Sequence, residues 1–341
     1  MFELEKWIRP NVLTLKPYSS ARDEFSGSKG VFLDANENPF GELNRYPDPH
    51  QKELKKKLGE LRSIPIDNIF IGNGSDEAID IAFRIFCNPG KDKALTFTPT
   101  YGMYEVSAEI NDVELIKIPL NEAFQIDFVT LENYLDDNSI KMIFICSPNN
   151  PTGNSIENID RLLQKFKGIV VVDEAYNDFS SKDSFLKKIS NYPNLIVLQT
   201  FSKAWGLAAA RVGIAYSGFE IISYFNKVKP PYNVSELNQK AALKALGNPA
   251  EFENRKQIIL KQKKWLKNQL PNIASVIKIY PSDANFLLVE LTDANKVYNE
   301  LVNQKVITRN RNSLVKNCIR ITVGSPAENQ KLIDAFKRIV L

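Results

Sequence analysis

The sequence contains one histidine, His50, and three widely separated cysteines, Cys87, Cys146 and Cys318. A single histidine argues against zinc sites built from two or three imidazoles, and a Ser-His-Asp triad would have to use this one residue. An odd number of cysteines without CxxC spacing argues against a disulfide framework and is typical of buried thiols in a reducing compartment. We therefore expect no metal site and no structural disulfide.

Long apolar runs and a strong net charge are absent as well. No apolar run reaches the roughly 18 residues of a membrane-spanning helix, and the first ten residues carry four charged side chains instead of an apolar signal-peptide core. Lys plus Arg number 44 against 40 Asp plus Glu, a net charge of +4, which is weak evidence for binding to nucleic acid or a membrane. We expect a cytoplasmic protein that binds neither nucleic acid nor a membrane. Any anionic ligand would have to be held by a local arginine cluster.

The order of apolar and amphipathic stretches predicts two domains, as does the length of 341 residues. From residue 69 to residue 216, short apolar runs alternate with helical stretches, which predicts an α/β fold whose mostly parallel sheet has helices on both faces. The seven predicted strands are Ile69–Ile71, Ala94–Thr98, Glu114–Ile118, Met142–Cys146, Ile169–Asp173, Leu195–Thr200 and Val212–Tyr216. After residue 230 the pattern favours a linking helix and a smaller α+β domain.

The expected boundaries follow from these changes of pattern. Residues 1–39 form an N-terminal segment associated with the small domain, residues 40–230 form the large domain, and residues 231–341 form the linking helix and the small domain. In a parallel sheet, ligands lie beyond the carboxyl ends of the strands, so polar residues just after each apolar run are the candidates for chemistry.

Two strand ends are rich in glycine, serine or asparagine. Gly74, Ser75 and Asp76 follow the first strand and precede a helix, which is typical of a phosphate-binding turn; a capped strand-to-helix turn explains the same residues equally well. Asn149 and Asn150 lie between two prolines after the fourth strand. They are either aimed hydrogen-bonding groups or parts of a turn.

Charged residues lie beside three further predicted strands. Asp173 directly follows the fifth run, where a desolvated carboxylate needs a cation or N–H partner, although helix capping is an alternative. Lys203 follows the sixth run, where desolvation would lower the pKa of its amine and favour Schiff-base chemistry. Arg211 begins the seventh run and needs a fixed anion. With the phosphate turn, these groups match the aldehyde, ring nitrogen and phosphate of pyridoxal 5′-phosphate (PLP).

At these positions the sequence resembles the fold-type-I PLP-dependent aminotransferases over nearly its whole length. The blocks that carry the resemblance are Asn149–Gly153, Val172–Tyr176, and Ser202–Lys203 with Arg211. Within that superfamily the chain is most similar to the histidinol-phosphate aminotransferases. The narrower blocks are Leu33–Pro39, Arg45–Pro49, Pro99–Tyr104 and Ile319–Gly324.

The resemblance implies an enzyme of histidine biosynthesis. It would interconvert L-histidinol phosphate plus 2-oxoglutarate with imidazole-acetol phosphate plus L-glutamate, in a homodimer with shared active sites. Threonine-phosphate decarboxylases and aromatic aminotransferases share the blocks and stay open as alternatives. A PLP-binding regulator is disfavoured, because residues 1–39 are too short for an added DNA-binding region.

The resemblance also implies roles for single residues. Lys203 would hold PLP covalently and Asp173 would pair with the ring N–H. Tyr176 and Asn150 would bind the ring 3-hydroxyl, and Tyr101 would stack on the ring. The implied phosphate ligands are Gly74, Ser75, Asp76, Thr200, Ser202 and Arg211, and the implied catalytic residues are Lys203, Asp173 and Tyr176.

The remaining implied residues lie at the substrate end. Arg320 would bind the substrate carboxylate, and Tyr46 would reach the cofactor phosphate of the other subunit. Candidates for the rest of the substrate site are Tyr18, Asn36 and Arg309. Ala209 stands where the family often has a second glycine, so its φ must be negative.

Overall fold

The computed structural model describes residues 2–18 and 30–339. In these ranges the strands are β1 (Ile69–Asn73), β2 (Lys93–Thr98), β3 (Glu114–Pro119), β4 (Ile140–Cys146), β5 (Ile169–Asp173), β6 (Leu195–Thr200), β7 (Val212–Tyr216), β8 (Val276–Ile279), β9 (Phe286–Leu291), β10 (Arg309–Asn310) and β11 (Cys318–Thr322). The α-helices are α1 (Pro10–Thr14), α2 (Lys52–Arg62), α3 (Ser75–Phe86), α4 (Met103–Ile110), α5 (Phe128–Glu132), α6 (Ile159–Lys165), α7 (Phe219–Val228), α8 (Glu236–Leu246), α9 (Pro249–Gln269), α10 (Ala294–Asn303) and α11 (Pro326–Lys337).

The seven predicted strands form one sheet in the order β1-β7-β6-β5-β4-β2-β3. Strand β7 runs antiparallel to both of its neighbours, and the other pairs are parallel. The predicted bounds of β5, β6 and β7 agree with the structure, and those of the other four differ by at most two residues at one end. The expected α/β sheet is therefore confirmed.

Both faces of the large sheet are buried. In β5, Val170 and Val172 belong to one apolar cluster, whereas Ile169 and Val171 belong to the cluster on the opposite face. A strand that is covered on both sides needs apolar side chains at every position, which is why this strand appears in the sequence as a continuous apolar run.

A second sheet, in the order β10-β11-β9-β8, is antiparallel throughout. Ile319 and Ile321 of β11 are buried with α9, α10 and α11 in a third apolar cluster. The alternate residue Arg320 lies on the opposite face of this sheet. Strand β10 was not predicted, because a pairing of two residues leaves no periodic pattern.

Residues 8–12 of the N-terminal segment pack on the large domain, in contrast to the predicted association of this segment with the small domain. For residues 30–39 that association stays a prediction. Ile8 and Val12 are buried in the same cluster as Phe83 of α3. The Arg9 N–H donates to the Ile85 carbonyl oxygen at 2.9 Å. Ile8 follows a short 3₁₀ helix (Leu4–Trp7) and Val12 lies in α1, so the apolar residues of this segment come from two separate elements, and only the fold decides which surface they cover.

In the described ranges no helix is both long and apolar enough to cross a bilayer. No group of three or more histidine, cysteine or acidic side chains comes together there in a way that could hold a metal ion. All three cysteines are free and buried.

Candidate active site

A cavity lies at the carboxyl edge of the large sheet, where residues following β1, β4, β5 and β6 converge. It is lined by Ser75, Asp76, Tyr101, Cys146, Asn150, Asp173, Ala175, Tyr176, Thr200, Ser202, Lys203 and Arg211. Ten of these residues were predicted from the sequence; Cys146 and Ala175 were not. The structure therefore brings most of the predicted cofactor-binding residues into one place.

Two glycines allow the turn between β1 and α3 to approach β7. Gly74 has a φ of +83°, and a Cβ there would lie 2.4 Å from Arg211 Nη2. A Cβ on Gly213 would lie 2.1 Å from the Ser75 backbone nitrogen. Gly74 has no side chain to cap α3, so the first N–H groups of this helix are available to an anion.

Arg211 reaches the same turn from the start of β7. It adopts left-handed backbone geometry with a φ of +50°, which costs a non-glycine residue about 1–3 kcal/mol and is typical of functional positions. Asp76 accepts hydrogen bonds from Arg211 Nη2 at 3.3 Å and from the Tyr101 hydroxyl at 3.0 Å. Ala209 is not among the described residues with positive φ, as predicted.

The Asp76 carboxylate would repel a phosphate, so only its backbone N–H suits that ligand, while its side chain orients Arg211. Thr200 Oγ1 accepts from the Ser202 N–H at 3.1 Å and donates to the Val212 carbonyl oxygen at 3.3 Å. An uncapped helix start, an arginine and two hydroxyl groups fit the phosphate predicted from the sequence.

Asp173 lies at the floor of the cavity and is 2% exposed. It accepts hydrogen bonds from the Tyr104 hydroxyl at 2.8 Å and from the Ala175 N–H at 3.0 Å. Burial raises the pKa of Asp173 to about 6, and the two hydrogen bonds oppose that rise. A carboxylate held in this way is suited to a cationic partner such as a protonated ring nitrogen.

Tyr104 was missed as a site residue in the sequence. It is fully buried, stacks on Phe144 with ring centroids 5.0 Å apart, and meets Tyr101 edge-on at 5.7 Å. Tyr104 lies in the first turn of α4, and Tyr101 lies just before that helix, three residues earlier. That spacing was the available signal, but it does not reveal the hydrogen bond to Asp173.

Lys203 lies just after β6. The sequence predicted a desolvated lysine at this strand end, but the residue is exposed in the structure. Its Nζ is 5.5 Å from the centroid of the Tyr176 ring. Partial desolvation, followed by the positive charge of Arg320, lowers the pKa of Lys203, while Asp173 opposes that shift. The neutral amine that nucleophilic chemistry requires is therefore favoured at an accessible position.

The sequence left two interpretations for the asparagines after β4, site groups or parts of a turn, and each interpretation fits one of the two residues. Asn149 Nδ2 donates to the Pro99 carbonyl oxygen at 2.9 Å and to Thr152 Oγ1 at 2.8 Å, so this side chain stabilises the loop. Asn150 lines the cavity: its Nδ2 lies 3.5 Å from the Tyr176 hydroxyl, and its Oδ1 accepts from Arg320 Nη1. One residue is structural and its neighbour belongs to the site.

The small sheet closes the cavity from the opposite side. Phe286 of β9 meets Tyr176 edge-on, with ring centroids 5.1 Å apart, and the Arg320 guanidinium carbon lies 5.2 Å from the Phe286 ring centroid. Arg311, just beyond β10, is half-buried and was missed in the sequence. Its position two residues after Arg309 places both side chains on one face of an extended chain.

Six predicted residues are not among those that line the cavity. Gly74 forms the turn beside it, and Arg320 contacts the lining residue Asn150. Tyr18 is 72% exposed, Tyr46 is 49% exposed, and Asn36 and Arg309 also lie outside the lining. The Tyr46 ring stacks on Tyr232 with centroids 4.4 Å apart. Their roles stay predictions.

Comparison with known proteins agrees with this geometry. Residues 25–336 match the family described as Aminotransferase class I and II. The chain is 50% identical to a histidinol-phosphate aminotransferase of Cytophaga hutchinsonii, covering 98% of this chain and 99% of that protein. It is 49% identical to one of Parabacteroides distasonis, covering all of both chains.

A crystal structure of histidinol-phosphate aminotransferase from Sinorhizobium meliloti in complex with pyridoxal-5′-phosphate has the same fold. Its TM-score is 0.79 at 22% identity, covering 90% of each chain. The fold, the cavity at the sheet edge and the family match agree, and the chain belongs to the class I and II aminotransferases.

Proposed function

We propose that this chain is a PLP-dependent aminotransferase that interconverts L-histidinol phosphate plus 2-oxoglutarate with imidazole-acetol phosphate plus L-glutamate. The observation that carries the proposal is the cavity that joins the Lys203 amine, the buried Asp173 carboxylate, and the Arg211 guanidinium beside an uncapped helix start. Full-length relatives about half identical to the chain bear the name histidinol-phosphate aminotransferase.

The cofactor, when bound, supplies an aldehyde for amine exchange and an electron-withdrawing ring that stabilises negative charge at the substrate Cα. Arg211, the Ser202 and Thr200 hydroxyls, and the first N–H groups of α3 would hold its phosphate. Asp173 would keep the ring nitrogen protonated, and Asn150 and Tyr176 would bind the ring hydroxyl.

Lys203 carries the proton transfer. Its pKa is lowered by partial desolvation and by Arg320, so a larger fraction of Nζ is neutral than in an ordinary lysine and able to accept the proton from the substrate Cα. Arg320 holds the carboxylate of glutamate, because its planar fork binds two oxygens at once. The same pocket then accepts a phosphate monoester, an anion of different shape.

The proposal includes a homodimer in which Tyr46 enters the active site of the other subunit. Several large apolar side chains near Tyr46 are strongly exposed, which is typical of a surface that another chain covers. They are Val31 at 89%, Leu33 at 88%, Phe40 at 81% and Leu43 at 60% exposure. Light scattering should give twice the mass of one chain. A cytoplasmic location is part of the same proposal, in keeping with the three free cysteines.

The substrate is tested by half-reactions of the PLP-loaded protein, followed by absorption spectra. Glutamate and histidinol phosphate should each convert the cofactor spectrum, and phenylalanine should do so poorly. Release of carbon dioxide from threonine phosphate without an oxo acid would replace the proposal with the decarboxylase. Preference for phenylalanine would replace it with an aromatic aminotransferase.

A further inference from the structure

The turn between β1 and α3 is bridged by a side chain from a distant part of the chain. Asn233 lies in the linker between α7 and α8 and is half-buried. Its Nδ2 donates to the Ile71 carbonyl oxygen at 3.0 Å and to Glu77 Oε2 at 2.9 Å. Ile71 precedes the turn and Glu77 follows it, so a single amide group connects the two ends of the turn.

Glu77 fixes the same turn from the helix side. It is the third residue of α3, and its Oε2 also accepts from the Asn73 N–H. In a capping box, a glutamate at this position binds a backbone N–H ahead of the helix, while a serine or threonine at the N-cap occupies an N–H of the helix itself. Here the N-cap residue is Gly74, so only the glutamate half is present. The turn is therefore held while the first N–H groups of α3 stay available to an anion.

The Asn233 amide is fixed in one orientation. The Ile71 carbonyl and the Glu77 carboxylate are acceptors, so they take both hydrogens of the Asn233 NH₂ group. The Asn233 Oδ1 accepts from Gln51 Nε2 at 3.4 Å, and Gln51 is only 1% exposed. Because each side of the amide has a partner, rotation of this side chain would break hydrogen bonds to three separate segments of the chain.

The Glu77 carboxylate lies close to the backbone of the turn. A Cβ on Gly72 would be 3.1 Å from Glu77 Oε2 and 3.1 Å from the Gly74 carbonyl oxygen. Ser75 and Asp76, at the other end of the turn, line the cavity, whereas Asn233 is not among the lining residues. A shift of Glu77 would therefore move the backbone that meets the cavity, although Asn233 itself does not reach it.

We propose that Asn233 is a positioning residue for the cofactor phosphate. Acting through Glu77, it holds the turn from Gly72 to Asp76 in the shape that presents the first N–H groups of α3 to that phosphate. The identity of the cofactor rests on the proposed function, whereas the link between Asn233 and the turn rests on the hydrogen bonds of Asn233 and Glu77.

The test compares the binding of PLP with that of pyridoxal, which lacks the phosphate, by absorption titration of the cofactor-free protein. Asn233→Ala should weaken PLP binding about tenfold. It should change pyridoxal binding little, because only PLP carries the group that the turn holds. A residue that merely fastens the linker would affect both ligands equally or neither. Equal weakening of both, or a PLP affinity within about threefold of wild type, would overturn the proposal.

Asn226→Ala is the matched control. Asn226 is also half-buried, and its Nδ2 donates to the Ile222 carbonyl oxygen within its own helix, α7, at 3.1 Å. This variant should keep the wild-type preference for PLP over pyridoxal. A loss of that preference equal to the loss in Asn233→Ala would show that any truncated asparagine has the effect, and would overturn the proposal.

Variants of Glu77 test whether Asn233 acts through this residue. Glu77→Ala should lose PLP affinity as Asn233→Ala does, and the double variant should lose little more than either single variant, because the two side chains act as one unit. Glu77→Gln should retain PLP binding, since its amide oxygen can accept from both Asn73 and Asn233. Additive losses, or a loss in Glu77→Gln equal to that in Glu77→Ala, would contradict the assignment. If Asn233→Ala fails to fold, the two Glu77 variants provide the same comparison of PLP with pyridoxal.

The results separate this inference from the proposed function. Wild-type protein that prefers PLP to pyridoxal through Asn233, but does not convert histidinol phosphate, would contradict the function and support the positioning role. Protein that converts histidinol phosphate and keeps its wild-type PLP affinity in Asn233→Ala would contradict the positioning role and support the function.

Discussion

The two sides of the cavity differ in how their charges are balanced. On the large-sheet side, Asp76 is paired with Arg211 and Tyr101, and Asp173 accepts from Tyr104. On the small-sheet side, Arg311 and Arg320 carry buried Nε atoms that no described residue satisfies. In our proposal the large-sheet side holds the resident cofactor, and the small-sheet side, whose positive charge is not compensated by the described residues, receives the substrate anions.

The largest effect that this comparison predicts is at Lys203 on the cofactor side. Lys203→Ala removes both the covalent anchor and the proton acceptor, so turnover should fall by a factor on the order of 10⁴ or more. Cofactor binding should persist through the phosphate-binding residues. The exposed Lys264→Ala serves as control and should retain full activity. A rate for Lys203→Ala within tenfold of wild type would remove Lys203 from the mechanism.

The next effect concerns the charge of Asp173. Asp173→Asn keeps the shape of the side chain but cannot hold a proton on the ring nitrogen, so kcat should fall about 10²- to 10³-fold, the scale of one electrostatic stabilising group. Half-reaction rates with glutamate are the measurement. An unchanged rate would show that the carboxylate plays no electrostatic part.

The same residue should make the cofactor-free protein sensitive to pH. Burial raises the pKa of Asp173 from 3.8 to about 6 in the folded state. The folded protein therefore binds more protons than the unfolded chain between these values, and the free energy of unfolding falls as the pH rises through this window, by up to about 3 kcal/mol. Asp173→Asn should remove this fall.

Urea unfolding of the cofactor-free proteins at pH 5 and pH 8 tests this prediction. Asp173→Asn should gain stability over wild type at pH 8, and the gain should be smaller at pH 5. Glu174, whose pKa burial raises to about 7, contributes a further fall in both proteins and so cancels in the comparison. An equal difference at the two pH values would contradict the assignment of the shift to Asp173.

The smallest predicted effect concerns the hydrogen bond from Tyr104 to Asp173 on the large-sheet side of the cavity. Tyr104→Phe removes one hydrogen bond to the Asp173 carboxylate, which should raise the pKa of Asp173 and lower kcat about tenfold, with little change in the KM for glutamate. The pH dependence of cofactor absorption should shift, a change that altered packing alone would not produce. Tyr134→Phe, on a ring packed against the other apolar cluster, is the matched control. Identical pH profiles for both variants would show that Tyr104 only fills space.

The sequence predicts the cofactor side better than the substrate side, for a physical reason. Asp173 ends β5 and Lys203 follows β6, and a parallel sheet brings the ends of such local apolar runs to one edge. Arg211 precedes β7, which runs antiparallel to β6, so its start lies at the same edge. The position of Arg309 opposite Arg320 depends instead on how a two-residue strand pairs with β11. No local pattern carries that register.

Two other features could not be predicted from the sequence, because each depends on packing between segments that are distant in the chain. The Tyr104 hydroxyl meets Asp173 across 69 positions of sequence, and the spacing of helix α4 gives the face of Tyr104 but not its partner. Ile8 and Val12 are apolar in the sequence, yet their burial against α3 is a property of the assembled domain. A sequence pattern reports which face is apolar, and only the fold reports what covers it.

The most direct test of the central claim is borohydride reduction of the PLP-loaded protein, which makes the link between cofactor and lysine permanent, followed by peptide mapping. We predict that the label lies on Lys203 in the peptide that follows β6. A label on another lysine, or protein that acquires no label, would contradict the assignment of this cavity as a PLP-dependent active site.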